Sequence, residues 1–221
     1  MSHEVDEANR RPLKSREWSF AQRLTKKLAD VGCTPNGISV AGMVFALLAG
    51  IAFVMTSSTS GEGQRACWWL GALGVQMRLL ANLLDGMVAV HANKASSLGE
   101  VFNEVPDRFS DLFILVGLGY AAHGHPTLGA LAAAGAILTA YVRAFGASLG
   151  LGQDFCGPMA KPQRMFFVSL GAIWVGSAPH AWSSLGGYGI PVWVLSLVFV
   201  GSLVTVVRRL AHLTRQLKEQ R

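Results

Sequence analysis

The sequence predicts an all-α integral membrane protein, with six transmembrane helices preceded by an N-terminal amphipathic interfacial helix. Composition is the first reason. Of 221 residues, 51% are hydrophobic and only 14% are charged, too little charge to cover the exterior of a soluble domain of this size. The second reason is how the apolar residues are grouped. A helix needs about 20 mostly apolar residues to cross a bilayer, and six stretches reach or approach that length, at roughly 37–56, 67–91, 98–122, 126–150, 164–181 and 190–207. Lipid offers no partner to backbone N–H and C=O groups, so each span must be helical.

The chain divides as follows. Residues 1–13 are polar, carry Pro12 and show no periodicity, which predicts a disordered tail. Over 14–33, Trp18, Phe20, Leu24, Leu28 and Val31 recur at helical intervals while Arg16, Arg23, Lys26 and Lys27 take other positions. That is the pattern of an amphipathic helix lying in the membrane interface. Gly32 is placed to end it, and Thr34-Pro35-Asn36 to turn the chain into the membrane. Residues 34–210 then form the membrane domain and 211–221 a basic tail. Gly117, Gly119, Gly129, Gly135 and the Ala132–Ala134 run supply small surfaces for close helix packing in lipid. Segment 151–163, interrupted by Gly and Pro, reads as a connection. Trp68, Trp69, Trp182 and Trp193 fall near the outer boundaries, where interfacial anchoring is expected.

Orientation follows from the cations. The stretch before span one holds seven, among them Arg10, Arg11, Lys14 and Lys27, and the C-terminal end holds Arg208, Arg209, Arg215, Lys218 and Arg221. The 2–3 connection has Lys94, and the 4–5 connection has Lys161 with Arg164 at its edge; the opposite loops carry only Arg65. Both termini are therefore expected to be cytoplasmic, in the inner (cytoplasmic) membrane. The net charge of +6 is read as this topological signal, which also meets anionic lipid, and not as a nucleic-acid footprint. Residues 1–16 lack the apolar core of a signal peptide. Cys33, Cys67 and Cys156 are odd in number, lack metal-type spacing, and read as bystanders.

Chemistry concentrates between Asn82 and Asp111, because ionisable groups in or beside spans are costly and rarely idle. Asn82 and Asp85, three apart, share a helix face at the end of span two, and Gly86 leaves backbone open to a ligand. Glu100, Asn103, Glu104, Asp107 and Asp111 then recur every three or four residues, within a sector of roughly 100° on an ideal helix. Two antiparallel helices thus bring oxygen ligands toward one cavity, a donor set that suits Mg²⁺ or Mn²⁺. Carboxylates so crowded would repel without a cation between them.

The same stretch resembles the signature of the CDP-alcohol phosphatidyltransferase family, D-x2-D-G-x2-A-R-x8-G-x3-D-x3-D. Spacing is kept throughout: Asn82 at the first Asp, then Asp85, Gly86, Ala89, Val90 at the Arg, Gly99, Asn103 at the third Asp and Asp107 at the fourth. The resemblance, which covers nearly the whole chain, implies transfer of a phosphatidyl group from CDP-diacylglycerol, or another CDP-alcohol, to an alcohol acceptor with release of CMP. It implies divalent metal on the donor pyrophosphate, held by Asn82, Asp85, Asn103 and Asp107, to which Glu104 and Asp111 on the same stripe are added as ligands, with Asp107 as general base. By resemblance, Pro35, Asn36, Gly86, Ala89, Ser96 and Gly99 lie near the CDP moiety; Arg143, Lys161 and Arg164 contact a possibly phosphorylated acceptor; and a homodimer is common. Two signature acids are amides here, which marks a variant subgroup in which Glu100, Glu104 and Asp111 restore the lost charge; His91 could replace the missing Arg. Two other readings stay open: a catalytically degenerate member, and a membrane ion-binding or transport protein. An intramembrane prenyltransferase ranks lower, because its Asp-rich motif is longer and usually repeated.

Overall fold

The computed structural model describes residues 19–91 and 97–219, so the expected disordered tail and the start of the interfacial segment lie outside the described residues. The described residues are almost wholly helical. They form α1 (Ser19–Asp30), α2 (Pro35–Met55), α3 (Gly61–His91), α4 (Ser97–Gly119), α5 (Pro126–Ser148), α6 (Lys161–Ser177) and α7 (Ile190–Glu219). A two-residue antiparallel hairpin, β1 (Ser184–Leu185) and β2 (Tyr188–Gly189), precedes α7. Gly186 and Gly187 form its turn, both at positive φ (59° and 81°), the conformation that a two-residue hairpin loop needs and that Gly adopts without strain.

Local sequence explains the helix starts and stops. Gly32, at φ 84°, ends α1, with the Cys33 N–H donating to the Leu28 carbonyl, the closing bond of a Schellman cap. Thr34 caps α2, its hydroxyl accepting from Gly37 N–H at 3.1 Å, and Pro35 takes the first turn where no N–H is needed. The expected turn into the membrane is therefore a helix cap.

Among the described residues four helices, α2, α3, α5 and α7, are long and apolar enough to cross a membrane. Their outward faces carry exposed side chains such as Val44, Leu48, Ile51, Leu73, Leu197 and Val200, a surface that suits lipid and not water. This is an all-α membrane fold. Of the other two long helices, α4 carries the acidic stripe along its 23 residues and α6 has 17 residues. Both pack into the same bundle, α4 between α2 and α5, α6 between α3 and α7.

The core is apolar and small-residue rich, built around Phe53, Trp68, Ile114, Leu115, Met165 and Leu195. Trp68 is a correction to the sequence reading. It is buried against Phe53 inside the bundle, whereas Trp69, Trp182 and Trp193 are exposed. Where α2 crosses α4, a Cβ added to Gly117 would stand 2.5 Å from the Gly50 Cα, so the two backbones touch as small residues permit. Gly119 and Gly129 do the same for α4 and α5. Thr56 ties the far end together, its hydroxyl accepting the Ala122 N–H at 2.8 Å.

Replacing Gly117 with Leu should therefore separate α2 from α4. We expect a lower melting temperature and folded yield in detergent, consistent with an overpacking cost of at least the usual 1–3 kcal/mol, roughly. Gly61→Ala, where an added Cβ meets nothing within 4 Å, should have a far smaller effect, limited to backbone strain at its positive φ.

Candidate active site at the α3–α4 junction

The end of α3 and the beginning of α4 meet the start of α2, the end of α5 and the start of α6 at one end of the bundle. Helical spacing places Arg78, Asn82 and Asp85 on one face of α3. Asp85 is buried, and the Ser39 hydroxyl of α2 donates to its Oδ2 at 2.6 Å. Beside it Gly86 is open, since a Cβ built there would meet nothing within 4 Å. Pro35 and Asn36 open the same α2 that presents Ser39. Ala89 is half-buried on the next turn, and Val90 and His91 are exposed.

The stripe on α4 forms, and each of its described acids faces a cation from another helix. Asp107 is the centre. Arg78 of α3 donates to its Oδ1, and Lys161 of α6 reaches its Oδ2. Lys161 also donates to Asn82 Oδ1 at 3.0 Å, while Asn82 Nδ2 donates to Asp107 Oδ1 at 3.3 Å. One carboxylate and one amide therefore share an ammonium, and the carboxylate also holds a guanidinium. Glu104 accepts from Arg143 of α5 and, at 3.1 Å, from Arg108 of its own helix. Asp111, one turn deeper and fully buried, pairs with Arg164 at 2.8 Å, and Arg164 also donates to Thr139 and to the Met159 carbonyl.

The structure thus brings together Asn82, Asp85, Glu104, Asp107, Arg143 and Lys161. Asp111 and Arg164 are turned toward each other. Ser96 lies outside the described residues, and so does the side chain of Asn103; Gly99 is placed only as part of the first turn of α4. Three contributors escaped the sequence reading: Ser39, Arg78 and Arg108. Arg78 left a signal, an arginine inside an apolar run on the Asn82–Asp85 face. Ser39 left none. Arg78 also keeps Nη1, a buried donor with no hydrogen-bond partner. A cavity of about 250 Å³ lies at the opposite end of the bundle, beside Arg65, His123 and His180, away from these groups.

Chemically the site offers hard oxygens beside concentrated positive charge. Asp85, Asn82 and Asp107 provide only oxygen ligands, with one Asp85 oxygen fixed by Ser39 next to open space, and such a set fits a hard divalent ion. The cations and the spare Arg78 donor fit phosphate oxygens. A second polar group lies at the outer edge of the bundle. There, burial tends to raise the Asp154 carboxyl, but the Cys156 N–H and the His212 ring outweigh it and hold it below the usual carboxylate range. Burial and the neighbouring Asp154 push the Cys156 thiol up.

Known proteins share this architecture. No protein-family model matches the chain. A phosphatidylinositol phosphate synthase from Mycobacteroides abscessus is 28% identical over 208 residues, covering 90% of this chain and 86% of that protein. A second phosphatidylinositol phosphate synthase, from Mycolicibacterium smegmatis, is 28% identical over 203 residues, 86% of this chain and 82% of that protein. An inner membrane protein from Escherichia coli is 25% identical over 154 residues, 69% of this chain and 74% of that protein. Among solved structures, the phosphatidylinositol phosphate synthase of Mycobacterium tuberculosis superposes with a TM-score of 0.70 in two forms. Its complex with manganese and citrate is 21% identical and covers 87% of this chain and 88% of that one. Its complex with CDP-DAG is 20% identical and covers 89% and 94%. At that identity the structures speak for the fold.

The Asp111–Arg164 pair gives a test of how the site is held. Removing one partner from a buried pair costs about 3–5 kcal/mol, whereas replacing both with apolar residues is often near neutral. Arg164→Met alone should therefore sharply lower the unfolding midpoint in detergent, and the double change Arg164→Met with Asp111→Leu should recover most of it.

Proposed function

We propose that this protein is a divalent-metal-dependent phosphotransferase of phospholipid biosynthesis. It transfers a phosphatidyl group from CDP-diacylglycerol, or another CDP-alcohol, to an alcohol acceptor and releases CMP. The observation that carries the reading is the Asp107 cluster. The fourth acid of the signature lies at the meeting point of α3, α4 and α6, among oxygen ligands and phosphate-binding cations. The M. abscessus relative, matched along most of both chains, supports the reaction class.

Asp85, Asn82 and Asp107 would hold the divalent ion, with Asn103 joining them by its place in the signature. Bound there, the ion would neutralise charge on the donor pyrophosphate. The chain's own residues do the rest. Arg78 offers its spare Nη1–H to a phosphate oxygen, supplying the charge that the signature places at position 90, where this chain has Val90. Open space at Gly86 and the Pro35–Asn36 start of α2 admit the nucleotide; Ala89, Ser96 and Gly99 extend that surface by resemblance. Lys161 exchanges its carboxylate partner for the incoming phosphate, which frees Asp107 Oδ2. Asp107 then takes the proton from the acceptor hydroxyl, the acceptor oxygen bonds to phosphorus, and the P–O bond to CMP breaks. Arg143, beside Glu104, binds a phosphorylated acceptor. Asp111 and Arg164 hold α4 against α6 beneath them. The two amides mark a variant subgroup in which protein cations share work that four carboxylates and their metals would otherwise do.

The same reading assigns six spans, α2 to α7, with α1 lying in the interface and both termini and the site on the cytoplasmic face. It is supported by the exposed Phe20 on α1 and by the cations gathered at the site's end of the bundle. A lipid donor explains a reaction centre at the membrane boundary. A homodimer is in keeping with the family.

Wild-type protein in nanodiscs should release CMP from a CDP-alcohol only with Mg²⁺ or Mn²⁺. Asp107→Asn should cut that rate by at least about 100-fold, the low end for losing a general base, while CDP with Mn²⁺ still raises the melting temperature. No turnover across a panel of CDP-alcohols and acceptors would sink the enzyme reading; binding without turnover would mark a degenerate member. Arg143→Gln should raise the acceptor KM with little change in the KM for donor, and an unchanged acceptor KM would remove Arg143 from the site.

A further inference from the structure

The connection between α5 and α6 is laid along one face of α7. Gly157, at φ 112°, packs so closely that an added Cβ would stand 2.5 Å from Thr205. The Met159 N–H donates to Thr205 Oγ1 at 3.0 Å, and Arg209 Nε donates to the Cys156 carbonyl at 3.0 Å. Thr205, Arg209 and His212 follow one another by four and three residues, a single stripe of α7. At the outer end of this seam three metal-ligating side chains converge that the proposed reaction does not use. Asp154 Oδ2 lies 3.2 Å from Cys156 Sγ and 2.9 Å from His212 Nδ1, and the ligand atoms of all three lie within 4.8 Å of one another.

We propose that Asp154, Cys156 and His212 bind a borderline-soft divalent ion of the zinc class, with a fourth position open to water.

The donor types select the metal. One sulfur, one imidazole nitrogen and one carboxylate oxygen suit Zn²⁺, whereas Mg²⁺ and Mn²⁺ prefer the all-oxygen set at Asp85. The distances suit it too. Tetrahedral zinc with these ligands has edges of roughly 3.4–3.6 Å, so Asp154 Oδ2 need only part from the other two ligand atoms by a few tenths of an ångström. On binding, the Cys156 thiol gives its proton to solvent. Thiolate and carboxylate then balance the ion's two charges, and His212 binds as neutral imidazole. Outer contacts already orient the ligands, since Asp154 Oδ1 accepts the Cys156 backbone N–H at 2.8 Å and leaves Oδ2 facing the other two ligand atoms. Part of His212 is exposed, with 48% of its side chain accessible, which gives the ion a way in.

Such an ion would fasten the connection to α7. Phe155, between the two loop ligands, lies over the Arg143 guanidinium at 5.6 Å. The fastening therefore reaches the cation assigned to the acceptor; that consequence rests on the proposed function, while the metal site does not.

The test is Co²⁺ titration of the full chain in detergent, purified without a polyhistidine tag and with Mg²⁺ saturating the oxygen site. Cobalt bound by Cys156 gives a thiolate-to-metal charge-transfer band that an all-oxygen site cannot produce. We expect the band to saturate at one ion per chain, to vanish on addition of Zn²⁺, to persist in Cys33→Ser with Cys67→Ser, and to be lost in Cys156→Ser. His212→Ala should weaken it strongly. Circular dichroism confirms that each variant folds. No charge-transfer band in the wild type, or a band that survives Cys156→Ser, overturns the proposal. Both results leave the proposed phosphotransferase untouched, since CMP release is measured separately.

Discussion

The acidic stripe of α4 can lie inside the helix bundle only because other helices bring it cations. Arg78 from α3, Arg143 from α5, and Lys161 and Arg164 from α6 reach Asp107, Glu104 and Asp111 across helix boundaries. Unpaired, such groups are costly in a low-dielectric interior. Paired, they fix where α4 sits and how it is rotated, because each bond comes from a different direction. The same bonds place Asn82 and Asp107 within reach of each other. Structural constraint and chemical site are one set of contacts, which is why the electrostatics of the fold and its reactivity cannot be varied independently.

Glycine contacts supply the other half of that geometry. α4 carries its charges at one end and a small-residue surface at the other, where Gly117 lies against Gly50 and Gly119 against Gly129. Close backbone approach at the far end lets long side chains meet at the near one. Arg78 is almost completely buried, at 1% exposure, with its guanidinium turned to Asp107.

Much of this was legible in the sequence. The apolar runs gave helices whose starts match the structure within about three residues except for α3, which begins six residues earlier, at Gly61, and the three- and four-residue spacing of Asn82 to Asp111 marked the α3–α4 junction. What the sequence hid was pairing across helices. From spacing alone the crowded acids called for metal ions between them; in the fold much of that role goes to Arg78, Lys161, Arg143 and Arg164, which lie 25 or more residues away from their partners. Trp68 misled for a related reason: a position near a span's end says nothing of which face it occupies. Cys156 looked like a bystander because its neighbour His212 belongs to α7, beyond any local spacing rule.

A helix carrying Glu104, Asp107, Arg108 and Asp111 has little reason of its own to leave water for lipid. When α4 emerges during synthesis, only one of its cross-helix partners, Arg78, has already been made; Arg143, Lys161 and Arg164 are still to come. In the proposed six-span arrangement, insertion of this segment is then a cooperative event that waits for the second half of the chain. Biogenesis, and not only turnover, is exposed to any change at those four cations. A substitution there can be lost to quality control before the protein meets a substrate.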